Sequence, residues 1–370
     1  MQPTTLNKSA NHPAAINKPQ TILVTGATGF IGRWLLRELT AQGHTVLALL
    51  RRPEAQQAEL ARWLDARGGD SAHLQPVLGD LEADGWGLAP DDRARLQQVD
   101  AIFHLASRFA WNLDAQLARR ANVESLHTLL ELADANTGLQ RLVWVGGYMV
   151  GNPRLQGTLA QLEQGSDWRP VYRRHGAYEA SKLESYVVLK QALARRNIPW
   201  TFVHPSTVVG DSATGEITQD IGLLKLVDAL QKGRLTAIPG KRGDWLPLIP
   251  VDYLARFLAG VLEQPDANGQ EYWVLDDATP ALPELVRWLA DAVGVAAPRL
   301  QIPLGLMKFI LNAGLGKRWD MAAESLNFID SARYDTGPAL ALARSMGLQM
   351  PPARSYVQGT VRYWASSTNP

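Results

Sequence analysis

Short apolar runs alternate with amphipathic stretches along the N-terminal half of the chain. From Thr21, TILVTG is apolar, FIGRWLLRELTAQG repeats its apolar residues at helical spacing and stops at Gly43, and HTVLALL is apolar again. This predicts a strand, a helix and a second strand. The alternation continues with a helix over about 54–67, strands at LQPVLGD and DAIFHLA, and a long helix over about 115–135. The strand RLVWVGG from Arg141, a helix over about 180–196 and the strand WTFVHP complete it. Strands that are apolar throughout and separated by helices predict a parallel sheet covered on both faces. After Pro205, glycines, prolines and short strands such as EYWVLDD mix with helices near 217–231, 252–263 and 283–293. The expected class is therefore α/β: a doubly wound parallel sheet over 21–205 and a smaller α+β lobe over 206–370, partly interleaved with the first domain. Residues 1–20 are polar and broken by prolines, which predicts a flexible lead without a signal-peptide core.

Composition narrows the classes. The chain has 370 residues, 46% of them hydrophobic and 20% charged, enough for a large core. Thirty-seven basic residues against thirty-six acidic ones leave a formal charge of +1 with no basic run. Neither nucleic acid nor an anionic membrane is implied as a partner. The absence of cysteine rules out disulfides, thiolate nucleophiles and cysteine metal sites, and suits a reducing compartment, so the cytoplasm is the expected location. No apolar segment reaches membrane-spanning length. Seven scattered histidines show no metal-ligand spacing, and no metal is expected.

The candidate chemistry begins at VTGATGFIG, where Gly26, Gly29 and Gly32 lie between the first strand and its helix. Backbone without side chains can approach a pyrophosphate there, held by helix N-terminal amides. A carboxylate at the end of the second strand would favour NAD, whereas cations suit the extra phosphate of NADP. LALLRRP places Leu50 at the acidic position, followed by Arg51 and Arg52. NADPH is the expected cofactor, with NAD as the alternative. GDL after the third strand offers Asp80 and Leu81 to an adenine ring.

AYEASKLES supplies Tyr178 and Lys182, four apart and so on one helix face. A phenol titrates near 10. A neighbouring ammonium stabilises its anion, which makes the pair an acid/base device for a carbonyl or hydroxyl.

With TGATGFIG, GDL, FHLAS, NVESLHTLLELA, YEASK and HPSTVVG in this order, the chain resembles the extended short-chain dehydrogenase/reductase family over roughly 21–210. A looser likeness runs on through IPVDYLARFLAGVL, and GDSATGE resembles a segment of thioester and fatty acyl-CoA reductases. The resemblance implies a Rossmann-type domain, Tyr178 as acid/base, Lys182 on the nicotinamide ribose, and Asn122 organising the site from its helix. It also implies cofactor contacts from Thr28, Phe30, Ile31, Leu105, Ala106, Ser107, Pro205, Thr207 and Val208. A homodimer through the helices 115–135 and 180–196 is expected by analogy.

One position departs from the family pattern. The strand before the Tyr-Lys helix usually ends in a serine or threonine that holds the substrate oxygen, and here Gly147 of RLVWVGGYMVGN takes that place. Either Tyr148 or Ser107 replaces the hydroxyl, while the glycines make room for a bulky substrate, or the protein keeps the nucleotide and has lost turnover. Trp111, Trp168 and Trp245 are candidates for an apolar pocket. Arg169, Arg173 and Arg174 fall in an expected loop between Asn152 and Ala177, and His104 is expected to pack beside the cofactor. The leading expectation is an NADPH-dependent reductase of an aldehyde, ketone or acyl thioester on a small, largely apolar molecule. The alternatives are a nucleotide-sugar epimerase or dehydratase with bound NAD, in which Arg242 of GKRGDW meets a diphosphate, and an NADP-binding regulatory protein.

Overall fold

In the computed structural model, which describes residues 18–219, 222–313 and 323–368, the apolar runs are strands. In chain order they are β1 (Thr21–Thr25), β2 (Thr45–Leu50), β3 (Leu74–Leu78), β4 (Ala101–His104), β5 (Arg141–Val145), β6 (Trp200–Pro205), β7 (Thr207–Val209), β8 (Ala237–Pro239), β9 (Leu248–Pro250), β10 (Gln270–Val274) and β11 (Leu300–Ile302). Seven of them form one sheet in the order β10-β6-β5-β4-β1-β2-β3, and every pairing is parallel. Parallel strands need helical crossovers, which cover both faces. In β1, Ile22 and Val24 join one core and Leu23 the other; in β2, Val46, Ala48 and Leu50 oppose Leu47 and Leu49. Alternation is therefore present in space although both sets are apolar in sequence.

β10 is part of EYWVLDD and lies beyond Pro205, yet it completes the main sheet beside β6. The helix Val251–Gly260 likewise packs on the helix Phe30–Ala41. Two small parallel pairs, β7 with β9 and β8 with β11, lie outside this sheet. Most of the lead expected over 1–20 lies outside the described residues.

Three local readings change. The helix expected over 115–135 runs from Ala115 to Arg119, widens to a π turn over Arg120–Glu124, and resumes over Leu126–Ala135. Asp114 starts it by accepting hydrogen bonds from the Gln116 and Leu117 amides. The helix carrying Tyr178 begins at Ala177, after Gly176 turns the chain with φ at +82°. The loop expected between Asn152 and Ala177 contains two short helices, Gln156–Glu163 and Arg169–His175. Leu155, Leu159 and Leu162 recur at helical spacing and bury against Val171, Leu183 and Val187, which is why this segment is ordered.

Among the described residues no helix is long and apolar enough to cross a membrane.

Candidate active site

The turn after β1 is built by close backbone contact. Gly26 sits at φ +74°, where a Cβ would come within 2.8 Å of the Ala106 amide nitrogen, and a Cβ on Gly32 would come within 2.1 Å of the Gly26 carbonyl oxygen. The Gly29 amide donates to that same carbonyl at 3.0 Å and closes the turn. These positions need glycine because backbone occupies the Cβ space. β4 is tied to the turn through Thr25: its hydroxyl lies 3.0 Å from His104 Nδ1 and accepts from the Ala106 amide at 3.3 Å. Burial, with Lys182 adding, pushes His104 down to about 3, so the ring is a neutral packing group. It stacks on Trp86.

Facing this turn across a cavity of about 270 Å³ are Tyr178 and Lys182. The cavity is lined by Gly26, Gly29–Gly32, Leu105 and Ser107 on one side and by Gly147, Tyr148, Pro205, Thr207 and Val208 on another. Aromatic rings close it. Phe109 meets Tyr178 edge-on at 4.7 Å and Trp111 at 5.1 Å, and Trp111 continues to Phe328 at 6.1 Å. Phe328 belongs to the turn Ala323–Phe328, so the C-terminal segment supplies part of the wall.

Lys182 Nζ donates to the Val145 carbonyl at 3.1 Å and lies over the Trp144 ring. Burial draws its pKa down to about 8, against the opposing pull of Glu179. The expectation that Lys182 lowers the Tyr178 pKa is reversed in this arrangement. Burial first and the Glu179 charge second raise the phenol well above its ordinary value, with Ser107 alone opposing. The physical reason is that the ammonium is anchored on β5 rather than on the phenol.

Asn122, on the π turn, is a brace. Its side-chain oxygen accepts from the Arg108 amide at 2.7 Å, and its nitrogen donates to the Arg108 carbonyl at 3.3 Å and to Ser181 Oγ at 2.8 Å. Ser181 in turn donates to the Tyr178 carbonyl at 2.8 Å. The loop carrying Ser107 and Phe109 is thereby locked to the helix carrying Tyr178. Ser181 was not among the expected residues; its place three positions after Tyr178 was the available signal.

Other expected residues lie elsewhere. Arg51 and Arg52 are exposed at the end of β2 and form no ion pair with a described residue. Asp80 accepts from the Glu82 amide at 3.0 Å, and Leu81 packs under the sheet; neither lines the cavity. Arg242 is corrected: it borders a separate surface depression with Arg287 and Arg299. Trp245 is buried, with its indole nitrogen donating to the Ala332 carbonyl, so of the three tryptophans only Trp111 lines the cavity. Arg169 pairs with Asp167 at the surface, and Arg173 and Arg174 are exposed.

Over residues 24–258 the sequence matches the NAD-binding family described as male sterility protein. The chain belongs to the male sterility protein family. This places it in the extended short-chain dehydrogenase/reductase family. A hybrid PKS-NRPS synthetase of Acremonium sp, pydA, is 32% identical over 266 residues, 69% of this chain and 6% of the relative. The aldehyde reductase lnaA of Aspergillus flavus is 29% identical over 256 residues, 63% of this chain and 23% of the relative. The chain thus spans less than a quarter of either relative. The terminal R domain of the myxalamid PKS-NRPS pathway has the same fold, with TM-score 0.76 at 21% identity over 95% of this chain and 92% of that one.

Within this male sterility family member, the two glycines after β5 have different causes. A Cβ on Gly146 would come within 2.5 Å of His204 Nδ1 and 2.7 Å of the Trp144 ring, both buried. Gly146 is a packing glycine. A Cβ on Gly147 meets nothing within 4 Å, and its backbone is extended at φ −148°. Both glycines border the cavity, but only Gly147 has room there for a side chain. Tyr148 does not replace the missing hydroxyl, because its own donates to the Phe328 carbonyl at 3.0 Å. Ser107 Oγ is buried, lines the cavity without a well-formed hydrogen bond, and lies near enough to the Tyr178 phenol to oppose its upward shift.

Proposed function

We propose that the protein is an NADPH-dependent reductase of carbonyl compounds, an aldehyde, a ketone or an acyl thioester, with Tyr178 as the proton donor. One observation carries this reading: the glycine turn and the Tyr178–Lys182 pair line the same apolar-walled cavity. The residues present suit a dinucleotide. Gly26, Gly29 and Gly32 leave a cradle that side chains would fill, and the buried hydroxyls of Ser107 and Ser206 line its wall without a well-formed hydrogen bond to a described residue. Gly29, Phe30 and Ile31 would hold the pyrophosphate at the helix start, with Pro205, Thr207 and Val208 along the opposite wall. The bound cofactor supplies the hydride.

The protein's own part is proton handling and orientation. Burial keeps the Tyr178 phenol protonated, ready to give its proton to the carbonyl oxygen. Lys182, anchored on the Val145 carbonyl, would hold the nicotinamide ribose with its ammonium. Ser107 gives that oxygen the second hydrogen bond that Gly147 lacks. Phe109, Trp111 and Phe328 exclude water and favour an apolar substrate. The name of the aldehyde reductase relative agrees with carbonyl chemistry.

NADPH oxidation in the presence of a long-chain acyl thioester, the matching aldehyde and a simple ketone tests the reading. Turnover of at least one class supports it, and silence on all three with NADPH bound overturns it. Arg51 and Arg52 form no ion pair with a described residue and stand where the adenosine phosphate would lie, so replacing both by alanine is expected to raise KM for NADPH about tenfold or more and leave NADH nearly unaffected. The ratio of the two KM values checks this.

Gly147→Ser is expected to stay within about 1 kcal/mol of native stability, because its site is open and extended. It restores a second donor and is expected to raise kcat by up to about 10²-fold. Thermal melting and steady-state kinetics read the two effects.

A further inference from the structure

Glu179, the residue after the acid/base tyrosine, is 7% exposed, lines the cavity and forms no hydrogen bond or ion pair with a described residue. Every other buried carboxylate among the described residues is satisfied. Glu184 accepts from Arg119 and Tyr172, Glu216 from Trp63 and Arg67, Asp252 from Ser212 and Arg256, and Asp276 from Tyr356. Asp330 accepts from Asn152, Asp211 from Thr214, and Asp244 from the Lys241 amide. A buried acid without a partner is costly, and a neutral side chain would serve packing alone. Glu179 is also the single carboxylate among the described residues of the cavity wall.

The surroundings indicate what the carboxylate awaits. Tyr178 and Lys182 share its helix, and Tyr148 and Tyr334 feel its charge from the facing segments. Lys182 offsets part of that charge but is anchored on the Val145 carbonyl. Beside glycines and aliphatic side chains, the same wall carries four aromatic rings, Phe109, Trp111, Tyr148 and Phe328. A carboxylate set among aromatic faces attracts an organic cation through both its charge and the ring quadrupoles. Hydroxyl and amide groups gain less from the rings.

We infer that Glu179 is a substrate-recognition group whose carboxylate receives a protonated amine on an otherwise apolar carbonyl compound. This rests on the reading of the cavity as a carbonyl-reducing site. A substrate of this class presents its carbonyl to Tyr178 and its ammonium to Glu179 within one pocket.

Two aldehydes of equal shape test it: para-(dimethylaminomethyl)benzaldehyde, protonated at neutral pH, and para-isobutylbenzaldehyde, which carries CH in place of NH⁺. With NADPH present, the wild type is expected to favour the amine about tenfold or more in kcat/KM, and Glu179→Gln is expected to erase that ratio. A purely structural role would lower both rates and leave the ratio intact. A wild-type ratio near one, or a ratio unchanged in the variant, overturns the inference. Calorimetry of the NADPH-loaded protein with N,N-dimethylbenzylamine separates the two readings if neither aldehyde is reduced. Binding by the wild type that is lost in Glu179→Gln sustains recognition while carbonyl reduction falls. Equal or absent binding in both overturns recognition as well.

Discussion

Tyr178→Phe is expected to lower kcat for carbonyl reduction by about 10²- to 10⁴-fold, the range for loss of a positioned general acid. Cofactor affinity is expected to stay close to native. The substitution removes only the hydroxyl, and the ring keeps its edge-on contact with Phe109 at 4.7 Å. The Ser181 hydrogen bond goes to the Tyr178 backbone carbonyl, so the brace through Asn122 also survives. Fluorescence titration with NADPH and single-turnover kinetics separate the two effects. A variant retaining more than a tenth of the native rate would exclude Tyr178 as the proton donor. The pH profile supplies a companion signature. Burial holds Lys182 down to about 8, so its charge is present below that value and lost as pH rises through it. Reduction is expected to fall above about pH 8, while the phenol, held higher by burial, keeps its proton over the same range.

Gly32→Ala is expected to destabilise the fold by about 3 kcal/mol and to weaken cofactor binding at least tenfold. The added Cβ would lie 2.1 Å from the Gly26 carbonyl oxygen and 2.9 Å from its carbon, and backbone cannot swing aside as a side chain can. Relief requires the start of the helix Phe30–Ala41 to move away from the turn, which opens the cradle. Gly147→Ala is the matched control, since a Cβ there meets nothing within 4 Å. Its cost is expected to be below about 1 kcal/mol. Chemical denaturation of the two variants, with NADPH titration of each, checks the contrast. A Gly32→Ala variant as stable as Gly147→Ala would mean that the turn is looser than its contacts imply.

Local features of this protein were legible in the chain itself. The parallel sheet follows from apolar runs spaced by helical stretches, and the cradle from three glycines at a strand-to-helix junction. Tyr178 and Lys182 share a face because four residues nearly complete a helical turn. Each of these depends on neighbours within a few positions, so spacing suffices to predict it. The end of the Arg141 strand shows where such reading stops. Gly146 and Gly147 are adjacent and identical in sequence, yet one is forced by His204, far along the chain, and the other opens onto a cavity.

The same limit applies to the rest of the site. Tyr148 faced Ser107 as an equal candidate for the missing hydroxyl until the Phe328 carbonyl, 180 positions away, accepted its hydrogen bond. Arg242 was separated from the cavity by the path of the second lobe. Asn122 gained its bracing role from Arg108 and Ser181, and Glu179 its lack of a hydrogen bond or ion pair among the described residues from the groups packed around it. The sequence by itself determined the strands, the cradle and the acid/base pair, because periodicity and backbone sterics are local. Tertiary structure alone decided which hydroxyl reaches the cavity, which carboxylate is unpaired among the described residues and which aromatics join the wall, because burial and hydrogen-bond satisfaction depend on residues brought together from distant parts of the chain.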